Sequence, residues 1–326
     1  VGKAFRALRR RILTPDVAET SLDVRGFHKK SPEAQELLET VGKMFLLGYA
    51  HAVEAKSIEE SGEWLNEIPA QFRGFAYEGA GMGYAVLDGL PFGHGHHIAD
   101  LLAGHGDKHV YLVYVGIGWG MARLPRFRWP KAADLDPLLR GLVLDGYGFH
   151  QAYFHTAKYV DQQFQEADFP WPTKGSAAHS QHAIDQGIGR AMWFIGGTDA
   201  ALVADKIDKF PEARRADLYS GAGLAATYAG GADEKELHVL RERAGAHRPQ
   251  VAQASAFAAE ARVLAGLVIP HTAVATEVFC GLSPESAARL TQDVRPGHVA
   301  DGDQTAYELW RHRIAEEFVT LGRSNT

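Results

Sequence analysis

Glu78, His51, Glu54 and His150 are the side chains whose types and placement could do chemistry. His51 and Glu54 stand three apart in "GYAHAVEA", one helical turn, where an imidazole and a carboxylate can share a proton. His150 falls in "LDGYGFHQAYF", on a stripe with Leu142, Val143, Gly146, Phe149 and Tyr153 at helical spacing, which turns it inward. Glu78 stands immediately before the glycines of "EGAGMGYAVLDG" (78–89). In the similar segment "QGIGRAMWFIGG" (186–197) its place is taken by Gln186, with Arg190 one turn on. These are the candidate catalytic residues and their polar neighbours, and the chemistry they suit is proton transfer. The competing role is structural, since a buried polar group must find a hydrogen-bond partner in any case.

Other chemistries lack their residues. The sixteen histidines include a cluster, His94, His96, His97, His105 and His109, but Gly106 and Asp107 break the helix that would align the last two. There is no H-E-x-x-H, no E-x-x-H pair for a di-iron bundle, and His51-x-x-Glu54 runs in the reverse order. Cys280 is the single cysteine and no G-x-S-x-G elbow occurs, so no nucleophile is marked. The expectation is no metal and no cofactor; a metal-dependent oxidative enzyme stays an alternative that rests on histidine abundance alone.

The elements that position these residues read as helices. Proline at a first helical position marks starts at Ser31-Pro32, Asp136-Pro137, Phe210-Pro211, Arg248-Pro249 and Ser283-Pro284. Apolar periodicity then predicts one long helix after Pro32 and another after Pro137, reaching about residue 163. "HVYLVYVGIGW" (109–119) is rich in β-branched and aromatic residues and by itself suggests a strand. An internal repeat argues otherwise. "VGIGWGMARL" at 115 resembles "SGAGLAATYA" at 220, inside an alanine-rich segment that opens with proline, so residues 107–124 are assigned to helix. The two glycine-rich pairs lie at offsets of 108 and 105 residues, and "GYAHA" from Gly48 resembles "GYGFH" from Gly146 at an offset of 98. The expected fold is therefore all-α, a helical-repeat bundle or solenoid in one domain over 1–326. It has duplicated halves at about 32–125 and 137–231 and further helices over 233–322.

The paired glycines do not form a phosphate loop, because no strand precedes them and neither G-x-G-x-x-G nor G-K-S/T is present. Glycine inside a helix costs about 1 kcal/mol relative to alanine, so its repeated use calls for close approach by something. Tight helix packing is the favoured reading. The alternative is a slot for a flat, conjugated ligand, lined by Gly79, Gly83, Gly116, Trp119, Gln186, Gly187, Arg190, Trp193, Gly221 and Tyr228.

Composition narrows the classes further. A net charge of -6 without a long basic run argues against nucleic acid as a partner. No window is apolar enough to span a membrane, the basic start "VGKAFRALRRRIL" lacks a signal peptide's apolar core, and a lone cysteine fits a cytoplasmic setting.

"RALRRRILTPDVAETSLDVRGF", "FRGFAYEGAGMGYAVLD", "YVGIGWGMARL", "LDGYGFHQAYF", "QGIGRAMWF" and "LYSGAGLAATYAGG" resemble the UnbL-type proteins of unknown function encoded beside the iterative polyketide synthase of actinobacterial enediyne clusters. The resemblance covers nearly the whole chain. It implies a role in converting that synthase's linear polyene or polyyne into the enediyne core, as an enzyme or as a carrier working with other proteins of the cassette. It supplies no catalytic residues.

Overall fold

Ser31 shows how the chain starts its helices: its Oγ accepts from the Ala34 amide at 3.1 Å, with Pro32 in the first turn. The computed structural model describes residues 2–91, 95–172, 177–297 and 305–324. Its α-helices are α1 (Lys3–Leu13), α2 (Leu22–Arg25), α3 (Pro32–Glu54), α4 (Ile58–Asn66), α5 (Ala70–Gly89), α6 (His97–Ala103), α7 (Val110–Arg123) and α8 (Arg140–Phe154). They continue with α9 (Ala177–Ile195), α10 (Ala200–Ile207), α11 (Glu212–Tyr228), α12 (Glu234–Arg243), α13 (Arg248–Leu264), α14 (Pro270–Cys280), α15 (Pro284–Asp293) and α16 (Ala306–Ser324). The protein is all-helical, with no strand among the described residues. None of these helices is long and apolar enough to cross a membrane.

The segment that could have been a strand is α7. Its valines, tyrosines and glycines are poor helix formers, but Leu112 to Met121 are all buried, so packing on every side outweighs local preference. The helix expected to run to about residue 163 ends instead at Phe154. His155 leaves the helical region (φ -126°, ψ 47°), and a wider turn over Ala157–Asp161 follows.

The large helices pack in sequence, α3 on α5, α5 on α7, α7 on α8, α8 on α9, α9 on α11 and α11 on α13. Glycines set the spacing. A Cβ on Gly79 would lie 1.9 Å from the Phe45 carbonyl oxygen, and one on Gly116 would lie 2.1 Å from that of Glu78. The same approach recurs downstream, where a Cβ on Gly187 would lie 1.9 Å from Asp145 O and one on Gly221 would lie 1.9 Å from Gln186 O. Gly48 against Ala76 O is matched by Gly148 against Ile184 O. Gly146, which resembles Gly48 in the sequence, closes on Val115 O of α7. The row of helices curls back on itself. Arg262 of α13 donates to Gln71 O at 3.1 Å on α5, and Tyr111 of α7 donates to Glu260 of α13 at 3.2 Å.

Candidate functional site

Two apolar chambers lie inside this curl. The N-terminal chamber is walled by α3, α5, α7, α8 and α9 and by Pro15, Glu19 and Thr20 of the segment after α1; Leu38, Phe45, Trp119, Phe149 and Tyr153 face it. The C-terminal chamber is walled by α5, α7, α8, α9, α11, α13 and α16, with Tyr111, Val115, Leu142, Tyr228 and Phe257 on it. Each offers about 60 Å³ to the centre of a water-sized sphere, room for several waters or a narrow chain. Phe75, Arg190 and Phe194 belong to both walls.

The partition carries a buried polar cluster. Arg190 pairs with Asp145 and reaches Glu78 Oε1 at 3.5 Å. Gln186 donates from Nε2 to Asp145 Oδ2 at 2.6 Å and to Tyr307 Oη at 2.9 Å, and the Trp119 indole N–H donates to Glu78 at 3.1 Å. Asp145 is fully buried, and one guanidinium serves two carboxyls. Burial pushes Glu78 up to about 7 although Arg190 pulls it down. Glu78 therefore exchanges a proton near neutrality on the wall of the N-terminal chamber, the property general acid-base chemistry needs.

His150 joins this group through Trp119, whose ring it meets edge-on with centroids 5.5 Å apart. Its Nδ1 is buried without a hydrogen-bond partner, and burial lowers it to about 3, so the ring is neutral.

His51 and Glu54 lie elsewhere, on the last turn of α3. His51 packs on Trp64 at 5.2 Å and Glu54 pairs with Arg10 at 2.6 Å; neither lines a chamber. Gly79, Gly83, Gly116, Gly187 and Gly221 do not line the chambers either. Their missing side chains are filled by neighbouring helices, so the proposed ligand slot along the glycines is corrected to helix packing. Trp193 is fully buried and donates to Gly230 O at 2.9 Å, away from both chambers. Tyr228 does face the C-terminal chamber, under the Arg262 guanidinium at 4.0 Å. Asp145 and Tyr307 were missed. Asp145 had a visible signal, a charge on the apolar stripe of Leu142 and Phe149; Tyr307 had none.

The histidine cluster is dispersed. His97 Nδ1 pairs with Asp88 at 2.6 Å, His105 meets Asn66 at 3.2 Å, and His109 stacks on Tyr77 at 3.8 Å, while His94 lies outside the described residues. Among the described residues, His182, Asp217 and Glu308 bring ligand atoms within 4.8 Å of one another, close enough to share a metal ion. Arg311 already occupies both carboxylates there, at 2.8 and 2.9 Å, and supplies the cation that a metal would bring. Cys280 is inert: burial pushes its thiol up to about 12.

The family described as "Protein of unknown function (DUF1702)" matches residues 4–318, almost all of the helices above. The chain belongs to the DUF1702 family. No curated protein and no solved structure matches it significantly. The DUF1702 match spans both chambers and every member of the Glu78–Arg190–Asp145 cluster, which makes that cluster part of the family region and not of an appended segment.

Proposed function

We propose that the protein receives a linear, conjugated hydrocarbon chain in its two chambers, with the Arg190 cluster at the middle of the bound molecule. The observation that carries this reading is the pair of apolar chambers sharing Phe75, Arg190 and Phe194 as a common partition. Aromatic walls suit a flat conjugated chain, and outside the Arg190 cluster the charged groups on them, Glu19, Arg123 and Glu260, are few against the apolar lining, which favours hydrocarbon over a polar metabolite. The resemblance to enediyne-cassette proteins supplies a matching molecule, the linear polyene or polyyne of the polyketide synthase. Glu78 is then the group placed to give or take a proton on that chain, and without such a step the protein acts as a carrier.

We also infer an ancestral duplication of α3–α5–α7 into α8–α9–α11. Its support is the matched approach of Gly48 and Gly148, of Gly79 and Gly187, and of Gly116 and Gly221. The function is tested by purification from a strain producing the polyene: a coloured chain held by the wild type and released by Leu46→Trp at the chamber mouth supports it. A colourless protein that shows no saturable uptake of added polyene contradicts it.

A further inference from the structure

We propose that α1 and the loop behind it form a docking face for an anionic lipid surface. The helix is amphipathic in an unusual sense, because its apolar stripe is not used by the fold. Phe5, Leu8 and Ile12 follow one another at i, i+3 and i+7 on a single face and are 57%, 52% and 70% exposed, and no residue of α1 is buried. What holds the helix is its other side. Arg9 donates to the carbonyls of Val53 and Ala55 at the negative end of α3, and Arg10 pairs with Glu54.

Val17 and Val24, a little farther along the chain, are exposed as well, at 58% and 59%. Among the described residues six large hydrophobics are more than half exposed, and these five fall between positions 5 and 24, with Phe127 the sixth. Scattered exposed hydrophobics are ordinary; a run concentrated on one short stretch marks a contact surface.

Charge selects the occupant. α1 carries Lys3, Arg6, Arg9, Arg10 and Arg11 and no acidic residue, in a chain whose net charge is -6. Lys3 and Arg11 make no ion pair with any described residue, which leaves them to meet external anions. A face of three side chains on an eleven-residue helix is small for a stable protein interface, which calls for about 1,000 Å². It has the composition of a helix that lies in a headgroup layer, with apolar side chains sunk and cations at the phosphates. Along the chain, α1 is followed within a few residues by Pro15, Glu19 and Thr20, which line the N-terminal chamber. The docking does not depend on what the chamber holds.

The test is co-sedimentation of the full chain with vesicles of phosphatidylcholine alone and of phosphatidylcholine containing about a third phosphatidylglycerol. Binding to the anionic vesicles is expected to be at least about tenfold tighter than to neutral ones and to weaken as salt rises. Leu8→Ser/Ile12→Ser is expected to lose about tenfold or more of that affinity and Arg11→Glu a smaller factor, with the thermal midpoint unchanged because all three side chains are exposed. Equal sedimentation of the wild type with both vesicle types at background level, undiminished binding by the double variant, or capture of α1 by an acidic protein without vesicle binding would each overturn the proposal.

Discussion

The Arg190 guanidinium lies 3.5 Å from Glu78 Oε1, across a partition that both chambers share. Because Asp145 holds the same guanidinium from the other side, neither carboxyl has a cation of its own. Burial raises the proton affinity of Glu78, which lines the N-terminal chamber.

Removing Arg190 strands two buried carboxyls. Arg190→Leu is expected to destabilise the fold by about 3–5 kcal/mol in denaturant melts, while Arg190→Leu/Asp145→Asn recovers part of the loss. A single-variant cost below about 1 kcal/mol would show that solvent already satisfies the cluster.

Glu78 gives a pH signature with a defined sign. Its carboxyl goes from 4.5 to about 7 on folding, so its contribution is fully present below 4.5 and lost as pH rises through 7. Relative to Glu78→Gln, the wild type should lose on the order of 3 kcal/mol between about pH 5 and pH 8. The opposite slope would mean that the ionised form is the one the fold prefers.

His150 has the reverse dependence. Lowered from 6.5 to about 3, it contributes fully above 6.5 and its contribution is lost as pH falls through 3. His150→Phe should therefore flatten the acid limb of the stability profile, by on the order of 3 kcal/mol near about pH 4, with little change at neutral pH. Equal acid sensitivity of variant and wild type would place the responsible group elsewhere, with His109, lowered to about 4, the next to examine.

Gly79→Ala places a methyl 1.9 Å from the Phe45 carbonyl oxygen, where backbone must move. A cost of about 3 kcal/mol or more is expected. Gly322→Ala, at the exposed end of α16 with nothing within 4 Å, should be neutral or stabilising by up to about 1 kcal/mol. Similar effects at both positions would remove close packing as the reason for the paired glycines.

The helices and their inward faces were legible because periodicity reports which side of a helix is apolar. Even α7, locally strand-like, could be assigned through its resemblance to the segment around Gly221. Periodicity does not report what a face meets. His51 and Glu54 have pair-like spacing, but they sit where α3 ends and the chain turns out toward Arg10. Gln186 and Arg190 were visible as polar groups on an apolar helix; that Asp145 and Tyr307 complete their cluster depends on contacts 41 and 121 residues away in sequence, which no local pattern encodes.

The central claim is that one narrow apolar molecule occupies both chambers across the Arg190 partition. A fluorescence titration with a linear conjugated tetraene fatty acid addresses it, using Leu46→Trp at the N-terminal chamber and Leu224→Trp at the rim of the C-terminal one, both half-buried positions. The expected result is saturable binding of one probe per chain with quenching of tryptophan emission, weakened about tenfold or more by either substitution. Binding that is unsaturable, or that neither substitution weakens, would contradict it.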